Sequence, residues 1–114
     1  MTAYAYTWRT LAGMTKSSTF PPTAPLHVIV AYEGVQLLDV AGSAEVFATA
    51  AALDDRAACE VALISSQGGP VMSSAGVALQ TRPPDWLAGR RIDTLIVAGG
   101  PVDAVEGALR DRPL

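Results

Sequence analysis

Three short runs do most to limit what this chain can become: Leu26-His-Val-Ile-Val-Ala-Tyr32, Glu60-Val-Ala-Leu-Ile-Ser-Ser66 and Ile92-Asp-Thr-Leu-Ile-Val-Ala98. Each is apolar and rich in β-branched residues, and none shows the strict alternation of a strand with one wet face. Strands covered on both faces read this way. Between the first two runs lies an alanine-rich stretch, residues 43–53, with Val46, Phe47, Ala50 and Ala51 as its apolar stripe. That spacing suits a helix laid on a sheet. Gly42 stands as the expected N-cap, with Glu45 three residues on to answer its N–H. Strand, helix, strand with short connections gives a parallel, right-handed unit. The expected fold class is α/β, an open and mainly parallel sheet with helices on both faces.

The remaining segments fit around that frame. Gln67-Gly-Gly-Pro70 reads as a turn. Val71-Met-Ser-Ser74 and Val77-Ala-Leu-Gln80 flank Ala75-Gly76 and predict a small β-hairpin. Arg82-Pro-Pro-Asp85 is a loop, and Trp86-Leu87 a helical turn or an anchor into the core. Gly99-Gly100-Pro101 ends the last strand, and a helix is expected over residues 102–110 with Pro101 at its first turn. Residues 1–25 hold Thr, Ser, Ala and three prolines without a sustained period. They are expected to form a flexible extension, with residues 26–114 as one α/β domain. Met14 is an alternative start within that extension.

Composition closes several doors. Hydrophobic residues make up 50% of the 114, charged residues 17%, which is a core-forming balance. Eight basic against eleven acidic residues give a net charge of −3, a poor match for phosphate backbones, so this chain alone is not expected to bind DNA. A single cysteine rules out an intrachain disulfide and fits a reducing cytoplasm. No apolar run approaches the ~20 residues of a membrane-spanning helix, and no secretory leader is legible. One His and one Cys at unrelated places make no metal site. No dinucleotide or P-loop pattern occurs, so no cofactor is expected.

Asp39 is the acid that follows the first strand, at the end where open α/β sheets hold their ligands. It either lines that crevice or caps the helix behind it. Gly99 and Gly100 end a neighbouring strand. Their N–H groups can frame an anion there, or they can simply make a tight turn that needs positive φ. Glu33 reads as a solvated turn residue, and His27, at the far end of its strand, as a surface or capping residue. Cys59 starts a strand with nothing near it to activate a thiol. Phe47 and Trp86 read as core anchors.

The stretch Val28-Ile-Val-Ala-Tyr-Glu-Gly-Val-Gln-Leu-Leu-Asp-Val-Ala-Gly-Ser-Ala-Glu-Val-Phe47 resembles the opening motif of PfpI-type, class I glutamine amidotransferase-like domains. It is most similar to those of AraC-family transcriptional regulators, and also to isonitrile hydratases. Asp-Thr-Leu-Ile-Val-Ala-Gly-Gly at 93–100 continues the likeness, which covers residues 26 to about 101. Ser43 departs from it, since the family motif usually has proline there. The resemblance implies a flavodoxin-like sheet, with Asp39 against the family's cysteine nucleophile and Gly99-Gly100 framing the pocket. It also implies that the nucleophile elbow, its histidine and a DNA-binding helix pair would follow residue 114. The expectation is a truncated, non-catalytic sensor half-domain that takes a small-molecule effector and dimerises through an exposed sheet edge. The alternatives are a fragment of a PfpI-type cysteine enzyme, such as an isonitrile hydratase or amidase, and an inert remnant.

Overall fold

A computed structural model describes residues 24–110. The expected extension over residues 1–25 lies almost wholly outside the described residues. Strand β1 (Leu26–Val30) is the middle of a three-stranded sheet, with β2 (Glu60–Ile64) on one side and β5 (Thr94–Val97) on the other. Both pairings are parallel, and Val28 lies level with Ala62 and Leu95. The architecture is the open parallel α/β sheet that the three runs require.

The central strand explains its own composition. Val28 and Ile29 point to opposite faces of the sheet, and both are fully buried. Ile29 and Ala31 share a cluster with Val35, Val40, Val71 and Ala98. Leu26 and Val28 join Ala62 and Ile64 on the other face, where Trp86 and Leu87 pack from a 3₁₀ turn at Pro84–Leu87. The guanidinium carbons of Arg82 and Arg90 stand 4.6 and 4.0 Å from the Trp86 ring centre, so cations cover the wet side of that anchor.

Helix α1 spans Leu37–Leu53, six residues earlier than the sequence suggested. Gln36 is its N-cap, with extended backbone and no side-chain cap bond. Gly42 is therefore an interior helical residue and not the cap, and Glu45 closes no capping box. Leu37 and Leu38 are good helix formers, and Asp39 in the first turn suits the positive pole of the dipole. Ser43, at the presumed start, donates its hydroxyl to the Asp39 carbonyl at 2.7 Å, a bond between successive turns of a helix already under way. The sheet-facing stripe shifts with the start. Val40, Ala44 and Phe47 pack inward, while Val46 is 66% exposed.

Strands β3 (Gly69–Met72) and β4 (Ala78–Thr81) pair antiparallel as the expected hairpin, displaced from the sequence reading by one or two residues. Thr81 anchors it to β2 by a chain of bonds. The Gly68 N–H donates to Ser65 Oγ, Ser65 Oγ lies 2.5 Å from Thr81 Oγ1, and the Thr81 hydroxyl donates to the Gly69 carbonyl. Backbone bonds from Ser65 N–H to the Arg82 carbonyl and from Arg82 N–H to the Leu63 carbonyl extend the sheet toward the hairpin.

Helix α2 (Val102–Arg110) follows the Gly99-Gly100-Pro101 turn, as expected. Strand β5 has no second partner strand among the described residues. Its Leu95 and Val97 are 58% and 68% exposed, level with buried Val28 and half-buried Val30.

Candidate functional site

The carboxyl ends of β1 and β5 lie side by side. The β1–α1 connection is tied down on both sides. Gln36 N–H donates to the Gly99 carbonyl at 2.9 Å, Gly34 N–H to the Met72 carbonyl at 2.8 Å, and Ser74 N–H to the Val35 carbonyl at 2.9 Å. That clamp fixes the first turn of α1, and with it Asp39. The Asp39 Oδ2 accepts the Gly99 N–H at 3.0 Å, across 60 residues of sequence. The carboxylate thus holds a neighbouring strand end and does not cap its own helix. Its second oxygen, Oδ1, has no protein donor among the described residues.

Gly99 and Gly100 are needed for closeness, not for unusual torsion. Neither has positive φ, so the tight-turn reading in that form is corrected. A Cβ on Gly99 would fall on the Asp39 carboxylate, and one on Gly100 would come 2.9 Å from the Tyr32 hydroxyl. The Gly100 N–H meets no protein acceptor among the described residues. Asp39 Oδ1 and the Gly100 N–H are thus an acceptor and a donor without a protein partner among the described residues.

Tyr32 is the participant that sequence reasoning missed. Its hydroxyl donates to the Ala98 carbonyl at 2.8 Å. Burial, and after it the charge of Asp39, raise its pKa above the ordinary phenol value. The available signal was a tyrosine two residues before the glycine that turns the chain out of β1. Gly34 makes that turn at φ +82°, with Ala104 of α2 closely packed against it.

The other singled-out residues lie elsewhere. Glu33 is exposed but not merely solvated, since its Oε2 accepts the Met72 N–H at 3.2 Å. His27 is half-buried rather than a surface residue or a cap. Its ring stacks on Phe47 with centroids 4.1 Å apart, and its buried Nδ1 has no partner. Cys59 precedes Glu60, which pairs with Leu26 at the amino end of β1, the end away from Asp39. The thiol is buried, with Sγ 3.9 Å from the Phe47 carbonyl, and burial raises its pKa. Among the described residues no group of His, Cys, Asp and Glu could hold a metal ion. No helix there is long and apolar enough to cross a membrane.

Cys59 and Tyr32 both set a pH dependence. Each has a folded-state pKa above its unfolded value, so each contributes stability that is complete below the unfolded value and lost as pH climbs through the folded one. Urea unfolding followed from neutral to strongly alkaline pH should show stability falling through the thiol and phenol ranges. Tyr32→Phe should flatten the later part of that fall. Stability that rises on the same approach would contradict the burial of both groups.

Sheet order and strand direction define an open, parallel α/β domain, the class in which ligands bind beyond the carboxyl ends of the strands. No family model matches the chain. An uncharacterized protein from the cpoL 5′ region of Streptomyces lividans is 38% identical over 81 residues, 71% of this chain and 54% of that protein. Among solved structures, an AraC family transcriptional regulator from Pseudomonas putida superposes with a TM-score of 0.60 at 24% identity, over 68% of this chain and 48% of that one. Drosophila melanogaster DJ-1beta gives 0.61 at 15% identity, over 75% and 42%. A DJ-1 superfamily protein from Agrobacterium tumefaciens gives 0.53 at 22%, over 74% and 42%. The fold is thus the flavodoxin-like fold of the DJ-1 and PfpI proteins, as residues 28–47 suggested. The chain spans about half the length of each of these relatives.

Proposed function

We propose that this chain is the effector-sensing, amidotransferase-like portion of an AraC-like transcriptional regulator. It binds a small polar molecule at the carboxyl edge of the sheet and does not transform it. The observation that carries the reading is the Asp39–Gly99 contact, which leaves Asp39 Oδ1 and the Gly100 N–H without protein partners among the described residues. A nucleophilic mechanism needs an activated sulfur within hydrogen-bond reach of its partner. The one cysteine is buried at the other end of the sheet, with its pKa raised.

A cysteine enzyme of the PfpI type would draw its nucleophile from a different segment, and the likeness to an AraC family regulator favours sensing over turnover. The test is a thermal-shift screen of small polar metabolites against the chain. A true effector present at 100 times its dissociation constant stabilises the fold by about 2.7 kcal/mol. The reading expects at least one such compound, with the shift abolished in Asp39→Ala and retained in Cys59→Ser. A shift that depends on Cys59 and ignores Asp39 would overturn it.

A further inference from the structure

A concavity opens where the chain leaves β1. It has a volume of about 490 Å³, and Tyr32, Glu33, Ser66, Gln67, Asp103 and Ala104 are among its lining residues. That is within the ~300–1,000 Å³ of small-molecule sites. Asp39, Gly99 and Gly100 are not part of its lining, but Tyr32 is. The tyrosine that bonds the Ala98 carbonyl thus also forms a wall of the cleft.

The cleft is built into the fold. Gly34 lets α2 approach the β1 turn closely enough to form one side. The lining positions of α2 include Ala104, Gly107 and Ala108, spaced by three and one, and their small size leaves the space open. The opposite side is the turn after β2, where Gly68 packs against the Pro83 ring.

Its chemistry is one-sided. The lining holds two carboxylates, Glu33 and Asp103, and no Lys, Arg or His. Glu33 spends Oε2 on the Met72 N–H. Its Oε1 and both Asp103 oxygens have no hydrogen-bond or ion-pair partner among the described residues. Arg82 is occupied over the Trp86 ring and Arg110 with Glu106. Ser66 and Gln67 add neutral side chains able to hydrogen-bond. The Tyr32 ring adds an aromatic wall, and aromatic faces attract cations.

We propose that this cleft is a binding site for a small organic ammonium ion, held by Glu33 and Asp103. The inference goes beyond the effector reading: it names a second site, separate from Asp39, Gly99 and Gly100, and the chemical class that this site takes.

The test is a titration of the isotope-labelled chain with 1,4-diaminobutane at low salt, followed by amide resonances. Succinate and 1,4-butanediol serve as the anionic and neutral matches of the same length. The diamine should shift the Gln67, Gly68, Ala104 and Gly107 amides saturably. Glu33→Gln/Asp103→Asn should weaken it at least tenfold, while the charge-matched Glu45→Gln/Asp55→Asn should not. Unchanged spectral dispersion in both variants shows that they fold. No saturable diamine shift, or equal affinity in the Glu33/Asp103 variant, overturns the inference. If succinate or butanediol binds the cleft instead, the ammonium assignment is wrong while the effector reading stands.

Discussion

Gly68→Ala should lower the unfolding free energy by roughly 2–5 kcal/mol, the sum of a left-handed backbone cost and a steric one. Gly68 sits at φ +71°, and an added Cβ would lie 2.7 Å from both Cδ and N of Pro83 and 3.1 Å from the Arg82 carbonyl carbon. Two of those neighbours are backbone atoms bonded into the sheet through Arg82, so they cannot swing aside. The same residue donates to Ser65 Oγ in the bond chain that anchors the hairpin. Gly69 provides the internal control. Its φ is +75°, yet a Cβ there meets nothing within 4 Å, so Gly69→Ala should cost only about 1–2 kcal/mol. Gly42 should carry the opposite sign. It lies inside α1 with open space where a Cβ would go, so Gly42→Ala should stabilise by about 0.5–1 kcal/mol. Urea unfolding of the three variants checks the order. A Gly68→Ala protein as stable as Gly69→Ala would show that the Gly68–Pro83 contact is wrong.

The second large effect is a coupling. Gly99→Ala should cost about 1.5–3 kcal/mol, because the methyl displaces the Asp39 carboxylate from a charged hydrogen bond and leaves the Gly99 N–H without it. Asp39→Ala removes the same bond from the other side. In the double variant the new methyl no longer meets the carboxylate. A double-mutant cycle by urea unfolding should therefore give an interaction term within the ~0.5–3 kcal/mol seen for contacting residues. Additive costs would mean that Asp39 and Gly99 do not touch.

The sequence carried the sheet further than it carried the site. β1 and β2 were legible because burial on both faces leaves an apolar run, and β5 carries a run of the same kind although one of its faces, with Leu95 and Val97, is exposed. The start of α1 was not, because Gly42 carries a cap-like signal while the actual N-cap, Gln36, makes no side-chain bond to betray itself. Leu37 and Leu38 look like a loop's apolar residues until tertiary clamps at Gln36 and Val35 set the helix running. Asp39, Gly99 and Gly100 could be named from their positions at strand ends. The bond between Asp39 and Gly99 spans 60 residues and has no local signature. Nor does the reason for the glycines, which is the room they leave for a carboxylate and a phenol. The ammonium cleft was invisible for a similar reason. Glu33 and Asp103 become neighbours of one cavity only when α2 folds back over the end of β1.

The central claim is binding without chemistry, and the fate of the ligand tests it most directly. The compound that stabilises the chain should be incubated with excess protein and quantified by mass spectrometry, with binding followed in parallel by calorimetry. The account predicts a saturable heat, lost in Asp39→Ala, and recovery of the compound intact however long the incubation. Conversion of the compound at a rate that disappears in Cys59→Ser would contradict it and make that buried thiol the nucleophile.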